Sequence, residues 1–180
     1  MFSSYRPKNS FDEYFKDNVN SAREILIPLL SSLDNMGLEE LNRNHSAAKK
    51  LLLRHGATFR LNDTGLKGTE RILPFDPLPR IISKDDWVTL EKGLKQRLEA
   101  IDLFLDDIYN SQNIINDGII PRELIESSEG WRPQMIGFKP PLNKWCQISG
   151  LDLIRDRKGD WHVLEDNLRC PSGVAYFLEN

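Results

Sequence analysis

Gly150-Leu151-Asp152-Leu153-Ile154-Arg155, the polar turn Asp156-Arg157-Lys158-Gly159-Asp160, and Trp161-His162-Val163-Leu164-Glu165-Asp166-Asn167-Leu168-Arg169 form the stretch that decides how this chain is read. Apolar and polar residues alternate on both sides of the turn, which is a strand period. The pattern predicts two strands, over residues 145–155 and 161–167, joined as a hairpin. Turning about Lys158-Gly159, the hairpin opposes Arg157 to Asp160, Ile154 to Val163 and Asp152 to Glu165. Directly opposed residues have Cβ atoms about 4.5–5.5 Å apart. Glu165 and Asn167 are two residues apart and so project from one face. Asp152, Glu165 and Asn167 are therefore expected to form one oxygen-rich cluster, with His162 on the face opposite Glu165. A bulge at Gly159 would slip this register by one residue.

Two opposed carboxylates repel one another and weaken a sheet unless something offsets the repulsion. Carboxylate and carboxamide oxygens suit Mg²⁺ or Mn²⁺, which are usually shared between protein carboxylates and nucleotide phosphates. The alternative is a solvent-facing acidic patch. Arg169 follows two residues after Asn167, on the same face if the strand continues, where it could clamp a phosphate. Pro171-Ser172-Gly173-Val174 then gives a constrained turn ahead of an apolar helix, and N–H groups at a helix N-terminus attract anions. Ser172 and Gly173 could equally be a plain capping turn.

The upstream chain reads as helical. An apolar stripe of Ile25, Leu26, Leu29, Leu30 and Leu33 predicts a helix over residues 20–35, with Pro28 at a kink or in a first turn. Leu38, Leu41, His45, Ala48 and Leu52 predict a second over residues 38–55, stopped by Gly56. Residues 58–61 read as a short strand. Pro74, Pro77 and Pro79 then forbid a helix and hold an extended loop, pinned by Phe75 and Leu78, that would aim Arg80 reproducibly. Ser83 and Asp86 suit the start of a long helix, whose stripe is Trp87, Leu90, Leu94, Leu98, Ile101, Leu105 and Ile108. Gly93 interrupts it at about 1 kcal/mol relative to Ala, a cost that a close packing partner would explain. Gln96 and Arg97 are weaker candidates for a cleft, and Pro121 opens a short helix. Helices first and paired strands last predict an α+β fold: N-terminal helices packed with a small antiparallel sheet whose last hairpin carries the metal site. The helical region is placed at residues 1–56 and the remainder at 57–180.

With 24 Lys and Arg against 27 Asp and Glu, the chain offers no basic footprint for nucleic acid. It has no apolar run long enough for a membrane span and no signal peptide, so a soluble cytoplasmic protein is expected. Cys146 and Cys170 match no metal or disulfide pattern. Nothing in the sequence fixes the oligomeric state.

Asp152 followed by a Gly-turned hairpin and Leu164-Glu165-Asp166-Asn167-Leu168-Arg169 resembles the terminal metal-binding motif of the ATP-grasp superfamily, an acid on one strand and E-x-N-x-R on the next. Further stretches resemble the circularly permuted ATP-grasp family, related to glutathionylspermidine-synthase-like ligases. These are Gly68-Thr69-Glu70-Arg71, residues 74–80, Gly93-Leu94-Lys95-Gln96-Arg97, residues 150–156 and residues 164–180. The resemblance implies ATP and Mg²⁺ (or Mn²⁺) as cofactors, with Asp152, Glu165 and Asn167 as metal ligands and Arg169 on the transferred phosphate. Ser172, Gly173 and Arg80 are further nucleotide-binding candidates. It implies an ATP-dependent ligase that activates a small-molecule or peptide-like carboxylate as an acylphosphate for attack by an amine or thiol. In permuted members the nucleotide-binding lobe follows the hairpin in sequence, so the natural polypeptide is expected to continue beyond Asn180. The alternative is a noncatalytic fold that keeps the hairpin as a binding or interaction module.

Overall fold

The computed structural model describes residues 2, 4–6, 10–16, 20–60, 70–72, 74–171, 173, 174 and 178, without the side chains of 59, 60 and 70–72. Packing divides the chain into two compact units, Met1–Ser83 and Lys84–Asn180. The 56/57 division expected from the sequence falls just past the end of the first helix, Ile27–Arg54.

In the N-terminal unit a 3₁₀ turn, Glu24–Leu26, leads into α1 (Ile27–Arg54). Helical structure starts later than the expected residue 20, because Ala22 bridges to Phe15 and the Arg23 N–H donates to Tyr14. Pro28 sits in the first turn, where its missing N–H removes no helical bond. Gly37, at φ 77° and ψ 163°, breaks α1 into the two expected halves. Its end follows a Schellman pattern around Gly56 (φ 68°): Ala57 N–H reaches Leu52 O at 2.9 Å and Gly56 N–H reaches Leu53 O at 3.2 Å. The buried centre is Phe15, Leu26 and Leu30, with Phe2, Tyr14, Ala22, Leu29 and Ile81 around it. β1 (Thr58–Arg60) pairs antiparallel with β2 (Glu70–Ile72), the latter not anticipated from sequence. Leu61, expected to end the first strand, lies outside the described residues. Side chains from elsewhere in the unit hold the proline-rich loop by its carbonyls, alongside the half-buried Leu78. His45 Nε2 lies 3.0 Å from Phe75 O and the Tyr14 hydroxyl donates to Pro79 O at 2.6 Å, whereas Phe75 is 43% exposed.

The C-terminal unit is built on α2 (Lys84–Tyr109), with the short helices α3 (Asn113–Asn116) and α4 (Arg122–Glu126) after it. Leu90 and Ile108 of the predicted stripe are buried, but Trp87 is 50% exposed. Tyr109 at the end of α2 lies between Trp131 and Trp145, with ring centroids at 4.6 and 5.1 Å. Asp102, buried on α2, accepts the Trp145 and Cys146 N–H groups at 2.9 and 3.2 Å and pairs with Lys144 at 3.1 Å. Burial alone would raise its pKa, but the Cys146 N–H, Lys144 and the Trp145 N–H together hold it below the usual carboxylate range. Those two N–H groups are thereby taken from any ladder, and the strand expected from Trp145 starts at Gly150. β3 (Gly150–Arg155) and β4 (Trp161–Asn167) form the predicted hairpin. Among the described residues the strands make two separate two-stranded sheets rather than the single sheet expected. Among those residues no helix is long and apolar enough to cross a membrane.

Candidate metal and nucleotide site

The hairpin loop holds three residues, Arg157 to Gly159, not two. The Gly159 N–H donates to Asp156 O and the Asp156 N–H to Asp160 O, both at 3.0 Å, and Gly159 takes φ 93°. A three-residue loop that ends in a left-handed glycine is a common hairpin connection. Asp156 Oδ1 fastens it by accepting the Lys158 and Asp160 N–H groups, both at 2.9 Å. These donors, Asp160 first, also hold the Asp156 carboxyl below its usual pKa. The loop shifts the near register by one residue, so Arg155 opposes Trp161, Ile154 opposes His162 and Leu153 opposes Val163. The expected Arg157–Asp160 and Ile154–Val163 pairs do not form.

A second irregularity cancels the first. Leu164 is left unpaired as a bulge between Leu153/Val163 and Asp152/Glu165. Beyond it the expected register returns, with Asp152 opposite Glu165, Leu151 opposite Asp166 and Gly150 opposite Asn167. One extra residue moves the following side chains to the other face. Asp166, not Glu165, therefore shares the partly buried face of Leu151, Leu153, Trp161 and Val163. Asp152 and Glu165 are exposed on the outer face. His162 is exposed there too, opposite Ile154, which corrects the expectation that it alternates away from Glu165; its Nε2 lies 3.4 Å from Asp156 Oδ2.

Two ion pairs tie the inner face of the hairpin to α2. Near the turn, Arg155 reaches both carboxylate oxygens of Asp86 at 3.2 Å, donates from Nε to Gly159 O at 2.9 Å, and stacks 4.6 Å above the Trp161 ring. At the far end Arg97 grips Asp166 in fork geometry, Nε to Oδ1 at 2.7 Å and a terminal nitrogen to Oδ2 at 2.6 Å. The helix rise from Asp86 to Arg97 is roughly 16 Å, and the four rungs from Arg155 to Leu151, opposite Asp166, span roughly 13 Å. The Arg97 hydrogen bonds hold the Asp166 carboxyl below its usual pKa. A cleft of about 840 Å³ lies between these pairs, bordered by Thr89, Gly93 and Leu94 on α2 and by Leu153 and Val163 on the hairpin. Gln96 and Arg97 both line it. Beyond its own helix turn and chain neighbours, no described atom lies within 4 Å of where a Gly93 Cβ would stand, so the expected packing partner of Gly93 is not among the described residues.

A recess of about 330 Å³ opens at the other end of the hairpin and takes in Asp152, Asn167 and Gly173, with Ser149, Gly150 and Pro171 in its wall. A Cβ on Gly150 would lie 2.8 Å from Pro171 Cβ, so this wall forms only around a glycine. The Ser149 hydroxyl oxygen is buried there without a hydrogen-bond partner among the described residues. Neither Asp152 nor Glu165 has an ion-pair partner among the described residues. No three His, Cys, Asp or Glu side chains gather at one point among those residues. The hairpin offers two carboxylates with an amide beyond them, a set that suits a cation completed by phosphate oxygens and water.

The remaining candidates are less tightly placed. β4 ends at Asn167, so the strand continuation expected to carry Arg169 onto the same face is absent, and Arg169 stands exposed in the bend that follows. Ser172 lies outside the described residues. Arg80 belongs to the N-terminal unit, where its guanidinium is bound by the Glu13 carboxylate. Sequence reasoning missed Asp166, Arg155, Gly150 and Ser149. Only Asp166 carried a signal, a third acid placed between Glu165 and Asn167.

Residues 79–180 match the family described as circularly permuted ATP-grasp type 2. An uncharacterized protein of Synechocystis sp. is 48% identical over 181 residues, which span 100% of this chain and 37% of that protein. An uncharacterized protein of Mycobacterium tuberculosis is 42% identical over 171 residues, covering 95% of this chain and 30% of its own length. A Frankia alni protein named "Putative glutamate--cysteine ligase 2-3" is 35% identical over 181 residues, covering 99% of this chain and 20% of its own. The chain thus spans about a third or less of these relatives. The family match takes in α2 and the whole β3–β4 hairpin, and on that match the chain belongs to the circularly permuted ATP-grasp family.

Proposed function

We propose that this chain is part of an ATP-dependent ligase that joins a carboxylate to an amine or thiol, and that its β3–β4 hairpin holds the divalent cation of Mg-ATP. One observation carries the reading. Asp152 and Glu165 stand directly opposed on one exposed face with no cationic partner among the described residues, an arrangement that costs stability in a sheet unless a cation offsets it. Asp152, Glu165 and Asn167 would hold Mg²⁺ or Mn²⁺, which when bound neutralises phosphate charge and orients the nucleotide tail.

In this reading the substrate carboxylate attacks the γ-phosphorus of ATP, the bond to ADP breaks, and an acylphosphate forms. An amine or thiol then attacks the acyl carbon, loses its proton, and inorganic phosphate leaves. Arg169, exposed just beyond the strand, would meet the transferred phosphate, and Gly173 would offer its N–H group to it. The Gly150–Pro171 contact shapes the recess for these groups. The ligase name of the Frankia relative favours an amino-acid or peptide-like carboxylate, and dependence on ATP fits a cytoplasmic setting. Calorimetry with Mn²⁺ tests the hairpin part of the reading: the chain binds the ion, Glu165→Gln loses that binding, and the melting temperature without metal is unchanged or higher. Equal affinity in wild type and Glu165→Gln rejects it.

A further inference from the structure

We infer that Arg97 and Asp166 are positioning residues for the metal site: their ion pair occupies the inner face of β4 so that Glu165 and Asn167 are left on the outer one. The inference rests on the metal reading of the hairpin but concerns a pair outside the ligand set.

The hairpin has two registers close to hand. The loop side runs Arg155/Trp161, Ile154/His162, Leu153/Val163. Continued without a bulge, that register would oppose Asp152 to Leu164 and Leu151 to Glu165. A one-residue slip exchanges faces for every later side chain, so Glu165 and Asn167 would turn toward α2 and the two carboxylates would part. The observed register needs Leu164 to bulge out, 66% exposed, which leaves it unpaired in the ladder and its apolar side chain in solvent. Something must favour it. Opposite Leu151 on the inner face stands whichever residue the register delivers: Asp166 as observed, Glu165 if slipped. Arg97 lies at that place. Asp166 accepts from Nε and one terminal nitrogen of Arg97 at 2.7 and 2.6 Å and is the more enclosed partner, at 20% against 46% side-chain exposure. Asp166 thereby does two things. It anchors the bulged register to α2, and it occupies the side of the Arg97 guanidinium that would otherwise draw Glu165 inward.

That double role sets an order among variants that a general loss of stability does not. Asp166→Ala removes the anchor and exposes Arg97 to Glu165, so it is the most damaging. Arg97→Ala removes the anchor alone. The double alanine variant binds metal better than Asp166→Ala, because no cation on α2 competes for Glu165. The exchange Arg97→Asp with Asp166→Arg rebuilds the pair and repels Glu165 from the inner face.

The test uses the whole chain in solution NMR with two readouts. Cross-strand Hα contacts between Asp152 and Glu165 report the register without metal, and broadening by Mn²⁺ at residues 152, 165 and 167 reports the site. We expect Asp166→Ala to lose the Asp152–Glu165 contact and at least tenfold in Mn²⁺ affinity, and the charge exchange to restore both. Loss of the contact in Asp166→Ala with recovery in the exchange supports the pair even if wild type shows no Mn²⁺ effect, an outcome that would remove only the metal reading. Retention of the Asp152–Glu165 contact in Asp166→Ala overturns the inference, as does a folded charge-exchange variant in which the contact stays lost.

Discussion

Asp152 stands opposite Glu165 although, only two rungs away, Ile154 stands opposite His162. The pairing survives because two departures from a regular hairpin cancel, a three-residue loop closed by Gly159 and a bulge at Leu164. Like charges facing each other on an exposed strand pair are unfavourable by a few tenths of a kcal/mol to about 1 kcal/mol. Replacing Glu165 by Gln should therefore raise apo stability by up to about that amount while removing metal binding. Urea denaturation with and without Mn²⁺ checks both halves. A variant less stable than wild type without metal would mean that the two carboxylates are not in conflict.

Acid should loosen the hairpin from α2. The Arg97 hydrogen bonds depress the folded-state pKa of Asp166. A depressed carboxylate adds stability above its unfolded pKa of about 3.9, and that stability is lost as pH falls through the lower folded value. Stability should be level from neutrality to about pH 5 and decline below about pH 4. In Asp166→Asn the same decline should be shallower, measured by chemical denaturation at stepped pH. Asp102 and Asp156 are depressed as well, so some decline remains.

Gly150 admits no side chain without movement, since its Cβ would meet Pro171 Cβ at 2.8 Å. Gly150→Ala should cost about 1–3 kcal/mol as overpacking and should displace Pro171 from the recess wall. Equilibrium unfolding gives the first effect, and amide shifts at 171–174 give the second.

Gly93 is the opposite case. It lies in mid-helix at the cleft with open space where a Cβ would stand. Gly93→Ala should stabilise the isolated chain by up to about 1 kcal/mol. A loss of stability instead would mean that this face of the helix is packed in solution.

Asp102 is buried, and its carboxylate satisfies the N–H groups of Trp145 and Cys146. Asp102→Ala should cost about 2–4 kcal/mol by leaving them without an acceptor. Asp102→Asn keeps a carbonyl oxygen for both and should cost less, with the Lys144 pair mostly solvent-screened. Near-ultraviolet circular dichroism of the Tyr109–Trp145 stack reports the local damage.

The helices were largely legible in the sequence because their signals are local: Pro28 in a first turn, Gly56 as a stop, and the stripe on α2. The hairpin was legible as an element, and the Asp152–Glu165 pairing was read correctly, but its route was not. Alternation alone cannot place a bulge, because Leu164 looks like any other strand residue until the α2 face is present to select between registers. The face of His162 and the role of Asp166 follow from that bulge and were misjudged or missed with it. The loop pattern aims Arg80 or leaves it a surface cation, but it carries no information on its partner Glu13, which is remote in sequence. Trp87 was placed in a core by its spacing but is half exposed.

The most direct test of the account is Mn²⁺ titration of the chain followed by amide relaxation. The metal reading predicts line broadening centred on 152, 165 and 167, competed by Mg²⁺ and abolished in Glu165→Gln. Broadening centred elsewhere, or unaltered by that single substitution, would contradict it.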